Sequence, residues 1–182
     1  MFLRLSLTAC VLLVSGFLSA SWAGPKDKVF FDSVSGVWRG PGEIVAGKYK
    51  GTKFHCHFNG APSAEHKIGV AMDGHCRVGI FSQKMTAIIG DRGGNYTGKF
   101  QDGAKGEGLD LTSGKVNGNK IVVGLNRKKL NGAMVAHLQE PDVMNVTISV
   151  KVRERLIPVI GMTLSRDRKV GASRQQQQDH LR

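Results

Sequence analysis

The sequence is poor in several things, and each shortage excludes something. Three cysteines in 182 residues cannot form the dense disulfide framework of a small secreted scaffold. Five prolines are too few for a proline-rich linker or collagen-like chain. Acidic residues number 14 against 26 lysines and arginines, which leaves a formal charge of +12 and few carboxylates to pair as general acid and base. Catalytic serine motifs, a His-Glu-x-x-His metal motif and a phosphate loop are all missing. The glycine-rich Gly114–Lys120 stretch lacks the Gly-Lys-Ser/Thr ending of that loop and reads as two turns. Asp102, Glu107 and Asp110 are close in sequence but have no identifiable acid or base partner. These absences point to a non-catalytic protein and imply no cofactor.

Only one long apolar run is present, from Leu5 to Leu18. It follows Met1-Phe2-Leu3-Arg4 and precedes Ser19-Ala20-Ser21-Trp22-Ala23. A positive start, a short apolar middle and a small-x-small end form a secretory signal peptide of bacterial style, with cleavage expected after Ala23. Cys10 lies inside the apolar run rather than after it, so a lipoprotein cleavage site is rejected. The expected layout is a signal peptide over 1–23, one domain over 24–166 and a disordered polar tail over 167–182 with its glutamine run. The mature chain is expected to be soluble, periplasmic or secreted. Its formal charge falls to +11 with the loss of Arg4. For an exported basic protein, acidic polysaccharide or an anionic lipid surface is the expected partner, and nucleic acid is not. Asn95-Tyr96-Thr97 and Asn145-Val146-Thr147 match a glycosylation pattern, which in a bacterial chain is read as chance.

The domain is a succession of short alternating runs. Lys53 to Phe58 puts Phe54, Cys56 and Phe58 on one face and Lys53, His55 and His57 on the other, a half-buried strand. Ile68, Val70 and Met72 alternate, and Asp73-Gly74 then reads as a two-residue hairpin turn. Cys76, Val78 and Ile80 follow, then Met85, Ala87 and Ile89. Turns are expected at Gly93-Gly94, Asp102-Gly103, Ser113-Gly114 and Asn117-Gly118. Arg127 to Leu138 is either one strand or a hairpin about Asn131-Gly132, which would set Leu125 opposite Leu138; the hairpin is preferred. Val146, Ile148, Val150 and Val152 form the cleanest strand, with Lys151 and Arg153 on its outer face. The fold class is therefore all-β: an antiparallel meander of about ten short strands, closed or nearly closed into a barrel. A short helical turn precedes it over Asp27 to Val34, with Phe30, Phe31 and Val34 facing inward.

Ser35-Gly36-Val37-Trp38 after a lead-in helix, at the first strand of a meander, resembles the start of a lipocalin or calycin barrel. The resemblance implies that Trp38 closes one end of the barrel and that a late basic residue, Arg153 or Arg166, covers its indole. It also implies an apolar interior able to take a small apolar ligand. The family's Thr-Asp-Tyr motif and late helix are absent.

Several side chains remain as site candidates. Cys56 and Cys76 are expected to form a disulfide in an oxidising compartment. A strand between Ala64 and Met72 would separate them by about 9–10 Å, in conflict with the roughly 7 Å Cα limit of a bridge. His55, His57 and His75 share the outer face and form a candidate metal set, beside the opposing cations Lys53 and Arg77. Trp38, Lys151, Arg153 and Arg166 are the candidate ligand-binding residues. The late cations Arg127, Lys128, Lys129, Lys151, Arg153, Arg166, Arg168 and Lys169 suggest one acidic-partner surface, or alternatively a solvated edge that resists aggregation. The functional expectation is an exported binding barrel for an apolar or amphipathic ligand or an acidic envelope component. The alternatives are a hydrolase acting on envelope material and a purely structural periplasmic protein.

Overall fold

The computed structural model describes residues 24–101, 103 and 108–168. The expected signal peptide, Asp102, Glu107, Lys169 and most of the polar tail lie outside the described residues. One helix, α1 (Pro25–Ser33), leads into ten strands: β1 (Gly36–Ile44), β2 (Lys53–Pro62), β3 (Gly69–Val78), β4 (Phe81–Asp91) and β5 (Tyr96–Gln101), then β6 (Leu109–Asn117), β7 (Lys120–Arg127), β8 (Leu130–Glu140), β9 (Val143–Val152) and β10 (Arg155–Arg166). Each strand pairs antiparallel with the next, and β10 pairs back onto β1 with Trp38 opposite Arg166 and Ile44 opposite Ile160. The expected meander is thus a closed barrel, with no unpaired edge for another chain to extend.

Alternation decides which side faces in. Trp38, Cys56, Phe58, Val70, Cys76, Ile89, Val123 and Leu164 are buried inside. Arg39, Lys84 and Lys151 stand outside. An apolar interior under a polar exterior is the inverse of a barrel that spans a membrane.

Because the meander is strictly up and down, its connections alternate between two ends. The even ones (β2–β3, β4–β5, β6–β7, β8–β9) share the end that α1 covers, here called the base. The odd ones share the other end, the mouth. Pro25 opens α1, where its missing N–H is no loss. Phe30, Phe31 and Val34 enter the core, and the Phe31 ring lies 4.9 Å from that of Tyr96. Tyr96 Oη donates a hydrogen bond to Asp27 Oδ2 at 2.7 Å, tying helix to barrel.

Four local expectations are corrected. Asp73-Gly74 is not a turn but the middle of β3, paired with Asn59 and Phe58. A Cβ on Gly74 would sit 2.1 Å from the His57 carbonyl oxygen, so this glycine serves close strand packing. Asn131-Gly132 likewise lies inside β8; Leu125 faces Gly132 rather than Leu138. The β7–β8 turn is instead Lys128-Lys129, with Lys128 at φ 53°. Ser113-Gly114 belongs to β6 at a bulge, while the expected turn after Asn117 is present. Ile80 belongs to the exposed β3–β4 turn, not to the interior.

The cysteine conflict also resolves. Residues 63–68 are a connection rather than a strand, so β2 and β3 are neighbours with Cys56 directly opposite Cys76. The two are disulfide-bonded across the pair, with Cα atoms 4.0 Å apart. Closing a loop of sequence separation 20 restricts the unfolded chain. Reduction is therefore expected to cost about 3 kcal/mol, read from denaturant unfolding with and without reductant. Alkylation of the unreduced protein should label neither Cys56 nor Cys76; two labelled thiols would contradict the bridge.

Candidate functional site

The barrel is not packed solid. An internal cavity of about 160 Å³ runs along its axis, from Phe30 and Phe31 of α1 toward Phe54 and Phe100 near the mouth. Its wall is apolar, and no polar or charged residue is buried among the described residues. The Thr86 hydroxyl, the one polar side-chain group in the wall, donates to Gln101 Oε1 at 3.3 Å. All five methionines after Met1 line this space: Met72, Met85, Met134, Met144 and Met162. Met85 Sδ lies 3.5 Å from Cys76 Sγ, and Met162 Sδ 3.9 Å from Cys56 Sγ, so the disulfide and the thioethers form a sulfur-rich flank. Unbranched, polarisable methionine adapts to guests of different shape.

The cavity's size bounds its contents. A cavity of about 150 Å³ with apolar walls stays dry and takes benzene or xenon. Drug-sized ligands use roughly 300–1,000 Å³. The space suits a guest of a few heavy atoms; a longer one requires the methionines to move.

The base is closed by the tryptophan expected to close it. Trp38 is wholly buried, and its Nε1–H donates to the Val34 carbonyl at 2.9 Å. Of the two candidate covering cations, Arg166 does the work: its guanidinium lies 4.2 Å from the indole centroid. The same guanidinium donates to the carbonyls of Ser33, Ser35 and Pro141, and its Nε is 3.2 Å from Asp142 Oδ1. Arg168 adds a second ion pair to Asp142. Gly36 has φ +114°, and a Cβ there would meet Arg166 Nη1 at 2.7 Å, which accounts for glycine at the first position of Gly-Val-Trp. Burial lowers the Arg166 pKa, yet arginine stays charged at any working pH.

The other expected residues do not join this group. Arg153 is in the β9–β10 turn at φ 55°, not on the outer face of β9, and Lys151 pairs with Glu154 at 3.1 Å. Both are at the mouth, whereas Trp38 and Arg166 are at the base. The described late cations are therefore split between two ends and form no single surface. His57 and His75 meet on the outer face with rings 5.5 Å apart, while His55 faces Pro41 and Arg77. His57 Nε2 is buried without a hydrogen-bond partner, and its pKa is lowered by burial first, then by Arg39 and His75. No group of three potential metal ligands occurs among the described residues. The methionine lining was the feature sequence reasoning passed over; its signal was the inward register of Met72, Met85 and Met134.

No protein-family model and no curated protein matches the chain. The solved structure of Rv2717c from M. tuberculosis is similar, with a TM-score of 0.57 at 14% identity over 80% of this chain and 99% of that one. At that identity the likeness is one of fold.

Arg166→Ala would remove a cation–π contact and several charge-assisted hydrogen bonds at once. It is expected to destabilise the protein by on the order of 3 kcal/mol, with Arg166→Lys recovering only part because an ammonium cannot span the same carbonyls. Urea unfolding of both variants checks this; a wild-type midpoint for Arg166→Ala would mean that the Arg166 clasp over Trp38 does not hold the base together.

Proposed function

We propose that this protein is an exported, non-catalytic carrier of a small apolar molecule, held inside a lipocalin-like barrel. The observation that carries the reading is the apolar, methionine-lined cavity of about 160 Å³ within a closed barrel. The Gly36-Val37-Trp38 start beneath the Arg166 guanidinium supports the lipocalin-like comparison, since it is the arrangement that resemblance implies. Ten strands make a wider barrel than the eight of a lipocalin, and aromatic and methionine side chains fill part of the added width. The Cys56–Cys76 bridge supports an oxidising compartment, and hence a periplasmic or secreted location. Hydrolysis would need two titratable groups converging on a cleft. The cavity wall supplies no such pair, so binding is the better reading. A purely structural barrel would have no use for an adaptable void.

Native mass spectrometry after mild extraction tests the reading, alongside thermal unfolding with benzene as a probe. A guest at a hundred times its dissociation constant should stabilise the barrel by about 2.7 kcal/mol. Ala87→Leu, which adds bulk to the cavity wall, should abolish that shift without lowering the melting temperature of the empty protein. Ligand-free protein and no benzene shift, under conditions where a control barrel keeps its lipid, would favour the structural alternative.

A further inference from the structure

The mouth has a composition that the rest of the surface lacks. Among the described residues, ten large hydrophobic side chains are exposed. All but Val29 on α1 and Val122 in β7 lie at the mouth. Tyr49 is in the β1–β2 connection, Ile80 and Phe81 at the β3–β4 turn, Leu130 at the β7–β8 turn, and Val152 and Leu156 flank the β9–β10 turn. Ile80 is 92% exposed and Phe81 74%, so neither contributes to the core. Tight turns ordinarily carry glycine, asparagine, aspartate or serine. Here Gly79 supplies the positive φ, and the two residues that follow it are the most exposed large apolar side chains described.

Cations interleave with these tips. Lys48 and Lys50 flank Tyr49, Lys128 and Lys129 precede Leu130, and Arg153 and Arg155 stand between Val152 and Leu156. All six are exposed. The acid in the β9–β10 turn, Glu154, is paired with Lys151. Apolar tips set among lysines and arginines complement a surface that is anionic at its outer layer and apolar just beneath. A second copy of the chain is a poorer occupant, because two such rims would face one another with like charge. An acidic polysaccharide would satisfy the cations but leave Ile80 and Phe81 in water.

We propose that the barrel docks mouth-down on an anionic lipid surface, with Ile80 and Phe81 entering the headgroup boundary and the flanking lysines and arginines meeting lipid phosphates. This narrows the acidic partner expected from net charge to one source, and places it at one end of the fold. Docking rests on the rim alone and does not require the cavity to be occupied.

Flotation of the exported form, residues 24–182, with vesicles tests it, using phosphatidylcholine alone and phosphatidylcholine mixed with phosphatidylglycerol. The protein should bind the mixed vesicles and not the neutral ones, and binding should weaken as salt shortens the screening length from about 8–10 Å. Ile80→Ser/Phe81→Ser leaves net charge unchanged and should lower affinity at least about tenfold through lost apolar burial. Lys128→Glu/Lys129→Glu should lower it comparably through charge. Thermal unfolding verifies that each variant folds, and Phe81→Ser alone replaces the double change if it does not. Equal binding to both vesicle types, or binding indifferent to the apolar substitutions, overturns the proposal. So does a dimer dissolved by those substitutions with no vesicle binding, or retention on acidic polysaccharide alone.

Discussion

Everything in this fold depends on β10 closing against β1. Ten antiparallel strands left open would expose two edges and a wide apolar inner face. Closure converts that face into an enclosed interior. Trp38 and Arg166 sit opposite one another in the closing pair, so the clasp acts where the first and last strands meet. Arg166 also gathers the carbonyls of Ser33 and Ser35, before β1, and of Pro141, between β8 and β9. A single guanidinium thus joins the beginning, the end and a late turn of the barrel. Such a planar, always charged group can hold several carbonyls while stacking on an aromatic face, which lysine cannot do.

Closure by itself does not determine whether the interior is filled. Phenylalanines occupy part of it, and five methionines and the disulfide sulfur of Cys76 share the remaining wall with branched aliphatic residues such as Ile89, Ile121 and Ile148. Leucine and isoleucine would pack more rigidly; methionine leaves room that can change shape. The disulfide has a different mechanical character. It fixes β2 to β3 and presents sulfur beside Met85 and Met162, so one flank of the cavity is rigid where the rest can yield.

The alternation of apolar and polar residues made the strands legible, because a period of two is imposed by the pleat wherever one face is buried. The base was legible for a similar reason: only glycine tolerates the backbone of Gly36, and a buried indole there needs a partner. Turn placement was less legible. Asp73-Gly74 and Asn131-Gly132 look like hairpin turns, but at Gly74 and Gly132 the missing side chain serves close approach to a neighbouring strand's carbonyl, a long-range requirement with no local mark. Conversely, Lys128 and Arg153 take positive φ without being glycine, so their turns carried none of the usual residues. The misplaced turn at Asp73 then inserted a false strand between Cys56 and Cys76. The cavity was illegible because volume is the sum of many side chains across ten strands, while the mouth and base could be separated only once the connections were known to alternate.

The carrier proposal requires that one adaptable cavity inside the closed barrel accept a small apolar guest. Its most direct test is nuclear magnetic resonance of methionine methyl groups during titration with xenon. The cavity predicts that Met72, Met85, Met134, Met144 and Met162 shift together in a saturable manner, with Met144 near the base responding as Met134 nearer the mouth does. Methyl signals that stay fixed, or that drift linearly without saturation, would mean the interior admits no guest, and the carrier reading would fall.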